Sequence, residues 1–182
     1  MKHLARLFIL VGIAFYSYAL YHIALRENPS RLSFDTYTYA QSETSSDTKQ
    51  TKEQLPVRIT SQAVGIDTPI YPAVVNNNVW ETTKAGASYI TTSPLPGQKG
   101  NSVMYGHNWS NIFGNLTKAK IGQEITVTFG NGTIETFEVA YISEVSPEAS
   151  SILAPSQDNR LTLYTCSGFL DTKRYVVVAI KK

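Results

Sequence analysis

The chain has 182 residues and a formal net charge of +2, which suits one domain of ordinary size. A charge this small, without a basic patch interleaved with aromatic residues, argues against a nucleic-acid-binding protein. The single cysteine, Cys166, excludes an intramolecular disulfide and a thiolate metal cage, because both need further ligands or sulfur atoms. Cys166 is therefore either a buried apolar residue or a reactive thiol.

The first predicted element is an apolar helix over residues 4–25, LARLFILVGIAFYSYALYHIAL. About twenty such residues cross a bilayer core of about 30 Å as a helix. A cleaved signal peptide is the alternative, but the stretch is long and no clear Ala-x-Ala site follows it. Positive charges precede the helix, whereas Arg26 and Glu27 nearly cancel after it. The positive-inside rule then predicts a single-pass anchor with a cytoplasmic N-terminus and an extracellular C-terminal part.

Residues 28–54 are predicted to form a polar, flexible stalk. They are rich in Ser, Thr and Gln and poor in Val, Ile and Leu. Such a composition buries too little apolar surface to offset the entropy of ordering the chain. The predicted organisation is thus an anchor with its cytoplasmic tip at 1–27, a stalk at 28–54 and an extracytoplasmic domain at 55–182.

After the stalk, short β-branched and aromatic runs alternate with turn signals, which predicts an all-β domain. Asn131-Gly132 predicts a hairpin, since both residues accept positive φ. Short helical turns are predicted at 111–117 and 147–153. No glycine-rich phosphate loop and no acidic cluster for calcium occurs in this sequence, so no cofactor or metal is expected. The predicted strands, which fit a barrel or a sandwich, cover 57–64, 66–71, 102–106, 124–129, 133–142, 161–165 and 175–180.

Three side chains suggest covalent chemistry. Cys166 ends an apolar, β-prone run and follows the hydroxyl of Thr165. A thiol nucleophile needs a partner that favours the thiolate and protonates the leaving group, and histidine does both near neutral pH. His107, the only histidine after residue 22, follows a predicted strand, and Arg174 opens the strand after the cysteine. A guanidinium there suits a developing oxyanion.

The stretches LTLYTCSGFLDTKRYVVVAI and NSVMYGHNW resemble the cysteine-arginine and histidine signatures of sortases. The N-terminal anchor and the all-β domain match the same family, and the resemblance covers nearly the whole chain after Leu55. It implies a closed β-barrel of about seven to eight strands with short helices. It places the nucleophile on Cys166, the histidine on His107 and the arginine on Arg174, with Thr165 at a substrate-pocket position.

The resemblance also implies a reaction and its partners. The substrates would be secreted proteins that carry a C-terminal sorting signal such as Leu-Pro-x-Thr-Gly. Cys166 would attack a backbone carbonyl of the signal, His107 would protonate the departing amine and Arg174 would hold the substrate and the oxyanion. An amine from a peptidoglycan precursor or a pilin lysine would then resolve the thioacyl enzyme at the Gram-positive cell surface.

Other functions remain open from sequence. The chain is alternatively a membrane-tethered binding domain in which Cys166 is a core residue, or a degenerate sortase that binds signals without turnover. An L,D-transpeptidase that crosslinks peptidoglycan is a further alternative, although its histidine usually lies close to the thiol in sequence, unlike His107. Thiol chemistry separates these classes, because a core cysteine resists alkylation in the folded state.

Overall fold

The computed structural model describes residues 2–26, 32–34, 52–76 and 79–182. Helix α1 spans Lys2–Arg26, so the predicted apolar helix is present. Its stretch Ala5–Ala24 has a mean hydropathy of 1.8, and none of it is buried inside the protein. This helix is long and apolar enough to cross a membrane; the orientation across one stays a prediction.

The described part of the chain after α1 contains ten strands. Eight of them close into a barrel in the order β1-β2-β5-β6-β9-β10-β8-β7, and β3 pairs only with β4. The β2–β5 and β6–β9 pairs are parallel and the other pairs are antiparallel. The strands are β1 (Pro56–Ser61), β2 (Ile66–Ala73), β3 (Val75–Asn76), β4 (Val79–Trp80), β5 (Ala87–Ile90), β6 (Gly100–Tyr105), β7 (Glu124–Phe129), β8 (Ile134–Val145), β9 (Asn159–Ser167) and β10 (Lys173–Lys181).

All seven predicted strands are present, and the prediction of a closed barrel is confirmed. The hairpin at Asn131-Gly132 joins β7 to β8, with Gly132 at a φ of +84°. The predicted helical turns correspond to 3-10 helices at Gly114–Lys118 and Ser150–Leu153. Sequence patterning missed β3, β4 and β5, because runs of two to four residues are too short to show a period of two.

The barrel interior is a single apolar cluster. Along each strand every second side chain points inward, and each large apolar side chain that is fully buried contributes about 1.5–3 kcal/mol to folding. The inward members from the strands include Ile59, Ile66, Ile70, Tyr89, Met104, Ile125, Val127, Phe137, Val139, Leu161, Leu163, Val177 and Ala179.

Strands β6 and β9 are buried on both faces, unlike the half-exposed β8. Their outward side chains belong to a second apolar cluster that lies over the outside of the barrel. We call this surface the outer groove. Its members are Leu32, Phe34, Ala73, Trp80, Ile90, Val103, Tyr105, Leu153, Tyr164, Cys166, Val176 and Val178.

Part of the predicted stalk differs from expectation. Most of residues 28–54 lies outside the described residues, but Leu32 and Phe34 are 1% and 0% exposed. They are buried because they pack against aromatic side chains of the outer groove. Those partners lie far away in sequence, so the composition of residues 28–54 does not reveal them. A 3-10 turn, Lys52–Gln54, then leads into β1. The boundaries of the three predicted regions stay a prediction.

Candidate active site

The candidate site lies where β6, β9 and β10 end beside one another. Cys166 on β9 directly opposes Arg174 on β10 in the antiparallel register. Strand β6 runs parallel to β9 with Tyr105 opposite Tyr164, so the end of β6, which His107 follows, lies beside the end of β9 that carries Cys166. The barrel thus places the three predicted catalytic residues, which are 59 and 8 positions apart in sequence, at the adjacent ends of three strands.

Cys166 and Arg174 also share one face of the β9–β10 pair. Side chains on a strand alternate between faces, so Cys166 lies on the outward face with Tyr164, and Arg174 lies there with Val176. Directly opposed residues of an antiparallel pair have Cβ atoms about 4.5–5.5 Å apart. Cys166 and Arg174 are therefore neighbours at one end of the outer groove.

The connection between Cys166 and Arg174 is short and strained. Gly168 has a φ of +75°, and the non-glycine residues Leu170 and Asp171 have φ values of +53° and +60°. Left-handed backbone at a non-glycine residue costs about 1–2 kcal/mol. Such strain persists only where surrounding contacts determine the loop, and it concentrates at functional sites. Here the loop sets the position of the arginine relative to the thiol.

Arg174 is 3% exposed, and its guanidinium is held mainly by carbonyl oxygens. Its Nη1 donates to the backbone oxygens of Asp171 at 3.0 Å and Lys173 at 3.1 Å. Its Nη2 donates to the backbone oxygen of Ser33 at 2.8 Å. Nε has no hydrogen-bond partner among the described residues. These three acceptors are neutral backbone oxygens. The buried guanidinium is therefore available to an incoming oxyanion once one of these oxygens is displaced.

His107 is 7% exposed and stacks on Trp109, with ring centroids 4.5 Å apart and an interplanar angle of 13°. The chain turns tightly after the histidine, and the backbone N–H of Phe113 donates to the His107 carbonyl at 3.2 Å. This turn packs on Gly106, where a Cβ would lie 2.6 Å from Cγ2 of Ile112. The glycine before the histidine therefore allows the turn that carries Trp109 over the imidazole.

Thr165 is fully buried, and its Oγ1 donates to the backbone oxygen of Gly106 at 2.8 Å. This bond ties the residue before Cys166 to the residue before His107. Thr165 alternates with Cys166, so it lies on the inward face with Leu163. In this geometry the hydroxyl holds the two strand ends together, and direct contact of Thr165 with a substrate stays a prediction.

Arg160, the other arginine near the cysteine strand, lies at the opposite end of β9. Its guanidinium pairs with the carboxylate of Asp158 at 2.9 Å. This contact and a hydrogen bond from Ser156 hold the pKa of the Asp158 carboxyl below its usual value. Among the described residues no group of three or more His, Cys, Asp or Glu side chains is arranged to hold a metal ion.

The groove beside the site is aromatic, which the sequence alone did not reveal. Tyr105 and Tyr164 stack with centroids 5.5 Å apart, and Trp80 meets the edge of Tyr105 at 5.2 Å. Burial raises the pKa of the Tyr105 phenol, which therefore stays a neutral donor and hydrogen-bonds the backbone oxygen of Glu81. In the sequence, Tyr105 lies two residues before His107 and Tyr164 lies two residues before Cys166. Side chains two residues apart on a strand share a face, so this spacing was the sequence signal that could have placed both tyrosines beside the site.

The 3-10 helix Ser150–Leu153 forms one wall of this groove, and a buried amide holds it in place. Nδ2 of Asn101 donates to the backbone oxygens of Ile152 at 3.2 Å and Ala154 at 3.0 Å. The hydroxyl of Thr162 donates to Oδ1 of the same amide at 2.6 Å. Asn101 therefore positions the loop that precedes the cysteine strand.

Comparison with known proteins identifies the family. A model of the sortase domain matches residues 59–182. The chain therefore belongs to the sortase family.

Individual proteins are similar to this chain in sequence or in fold. Sortase A of Bacillus anthracis is 28% identical over 130 residues, which cover 69% of this chain and 59% of that protein. The structure of Listeria monocytogenes sortase A superposes with a TM-score of 0.58 and 23% identity, covering 70% of this chain and 87% of that one. Sortase C of Clostridium perfringens, solved with the C-terminal cell wall sorting motif, gives a TM-score of 0.59 and 22% identity, covering 74% of each chain.

Proposed function

We propose that this protein is a membrane-anchored cysteine transpeptidase that acts on a C-terminal Leu-Pro-x-Thr-Gly-like sorting signal. The observation that carries the proposal is that Cys166 directly opposes Arg174, while His107 follows the neighbouring strand β6 at the end that pairs with β9. A nucleophile, a proton carrier and a fixed cation are the groups that acyl transfer requires. Helix α1 supports attachment to the cell membrane with the barrel outside.

The reaction proceeds in two acyl transfers. The Cys166 thiolate attacks the scissile carbonyl, and the tetrahedral oxyanion accepts hydrogen bonds from Arg174 in place of a backbone acceptor. Collapse forms a thioester to Sγ and breaks the amide C–N bond, while His107 gives its proton to the departing amine. An amine from a peptidoglycan precursor or a pilin lysine then attacks the thioester and loses a proton to His107. A new amide forms, the C–S bond breaks and the Cys166 thiolate is released beside the protonated His107.

The deciding experiment is intact-protein mass spectrometry of the full chain in detergent, incubated with a small library of Leu-Pro-x-Thr-Gly-like peptides. The wild type should gain one acyl mass and the Cys166→Ala protein should gain none. His107→Ala should lose nearly all turnover, since no other histidine lies after residue 22. Arg174→Lys keeps the charge but loses the planar fork, and we expect its kcat/KM to fall by about a hundredfold.

Two results would contradict this function. An acyl adduct that persists in Cys166→Ala would remove the thiol from the mechanism. Absence of any adduct, together with a Cys166 that resists alkylation in the folded protein, would favour a binding domain with a core cysteine.

A further inference from the structure

The loop between β9 and β10 exposes two large apolar side chains close to the candidate nucleophile. Phe169 is 82% exposed and Leu170 is 38% exposed. Among the large apolar residues that the structure describes after α1, Phe169 is the most exposed. Single exposed apolar residues are common on protein surfaces, so the surroundings of this loop decide whether it has a binding partner.

Hydrogen bonds fix the loop in this exposed conformation. Phe169–Asp171 form a 3-10 turn, and the hydroxyl of Thr172 donates to the backbone oxygen of Phe169 at 2.9 Å. Nη1 of Arg174 donates to the backbone oxygen of Asp171 at 3.0 Å. The turn is therefore held from both sides, and it keeps the left-handed backbone of Leu170 and Asp171 in spite of the strain. Exposure of Phe169 is thus a fixed feature of the fold.

The apolar helix α1 lies beside this loop. Cα atoms of α1 and of the turn Phe169–Asp171 approach within 8 Å of one another. The C-terminal half of α1 exposes Tyr16, Tyr18 and Tyr21 at 67%, 60% and 61%, and tyrosines are enriched where a membrane helix meets water. The loop is thus close to the helix that is apolar enough to enter a bilayer.

Chain length independently places the same end of the barrel near the membrane. The backbone oxygen of Ser33 accepts a hydrogen bond from Nη2 of Arg174 at 2.8 Å. Ser33 is seven positions after Arg26, the last residue of α1, and seven extended residues span at most about 25 Å. The strand ends that carry Arg174 and Cys166 therefore lie within about 25 Å of the end of the membrane helix.

We propose that Phe169 and Leu170 insert into the lipid interface and dock the candidate active site on the membrane that α1 spans. This inference rests on the proposed function, because that function supplies the membrane anchor. The three residues from Cys166 to Phe169 span at most about 11 Å, so docking holds the thiol close to the lipid headgroups. The preferred substrates are then sorting-signal peptides and amines that are themselves held at the membrane surface.

The test uses the full chain in phosphatidylcholine vesicles, with and without bromine atoms near the headgroup end of the acyl chains. Bromine quenches tryptophan emission at short range, so quenching reports insertion without any turnover. Trp80 and Trp109 are the two tryptophans of the chain, and they give the wild-type background to which Phe169→Trp adds a third. We expect the added emission to fall by about half or more in brominated vesicles, because insertion by about 5–10 Å brings the ring to the acyl chains.

Ile134→Trp is the matched control, because it places a tryptophan at the opposite end of the barrel. Ile134 is 61% exposed and begins β8, whereas Val145 at the other end of that strand opposes Arg174. At about 3.3 Å per residue, Ile134 lies about 35 Å along the strand from the site. We expect the emission added at Ile134 to fall by less than about a tenth, because inserted side chains reach only about 5–10 Å into the interface.

Equal quenching of the two variants, or none in either, would overturn the proposal. So would a Phe169→Trp emission that ignores brominated lipid but shifts when a sorting-signal peptide is added, which would assign the loop to substrate binding. Quenching in a protein that forms no acyl adduct would support the docking and reject the transpeptidase function. Acyl transfer without quenching would do the reverse, so the two failures are distinguishable.

Discussion

Thr165→Val tests whether one buried hydroxyl aligns the nucleophile with the histidine. The substitution keeps the shape of the side chain but removes the 2.8 Å hydrogen bond to the Gly106 oxygen. Losing this donor costs about 1–3 kcal/mol, partly offset by about 0.8 kcal/mol from the added apolar group. The net loss is then about 0.2–2 kcal/mol. Each kcal/mol lowers the melting temperature by about 4–8 °C for a domain of about 100 residues.

Activity should fall further than stability accounts for. Release of the bond lets the strand ends carrying Cys166 and His107 separate, and a misplacement of about 1 Å costs up to about a hundredfold in rate. Single-turnover acylation, measured at a temperature where every variant is folded, gives this loss directly. Thr165→Ser keeps the hydroxyl and should retain most activity.

A second control separates alignment from general loss of stability. Ser61→Ala removes a buried hydroxyl that donates to the Glu124 oxygen at 2.8 Å, on strand β1 across the barrel. It should lower stability and leave acylation unchanged. Wild-type acylation in Thr165→Val, or an equal loss in Ser61→Ala, would refute the reasoning.

Three further predictions concern the surroundings of the site. Asn101→Ala should lower stability by about 3 kcal/mol, because three buried hydrogen bonds lose their partner, and should raise the KM as the groove wall loosens; denaturant unfolding and peptide kinetics measure both. Trp109→Ala should lower kcat/KM about tenfold by removing the ring stacked on His107, whereas Trp109→Phe should retain most of it. The pKa of Asp158 is lowered by Arg160, so its stabilisation is present above about pH 4 and lost as the pH falls further. Asp158→Asn should remove this decrease in the free energy of unfolding at low pH, which is at most about 1 kcal/mol for a partly exposed pair. Denaturant unfolding measured between pH 2 and 7 tests this.

The local features of this protein were predictable because they depend on neighbours in sequence. The length of the apolar stretch predicts α1. Alternation of apolar and polar residues predicts β7, and the turn residues after it predict the hairpin at Asn131-Gly132. The sequence also suggested which residues form the candidate site, and their catalytic roles stay a prediction. A lone cysteine and a lone domain histidine at strand ends leave few other choices, and the arginine opens the neighbouring strand.

The positions of these residues relative to one another required the tertiary structure. Parallel pairing of β6 with β9 is set by closure of the barrel, and it places the end of β6, which His107 follows, beside the end of β9 that carries Cys166. The short strand β5 exists because β2 and β6 flank it. Burial of Leu32 and Phe34 likewise depends on aromatic rings contributed by distant strands.

Sequence therefore determined which residues with reactive side chains end the strands, since that depends only on residue type and order. The tertiary structure decided which residues cover the outer face of the barrel. A polar window around residues 32–34 predicts a solvated stalk, because a composition argument counts only the surface that the segment itself can bury. The outer groove supplies the missing partner surface, and so Leu32 and Phe34 become buried in the same cluster as Cys166.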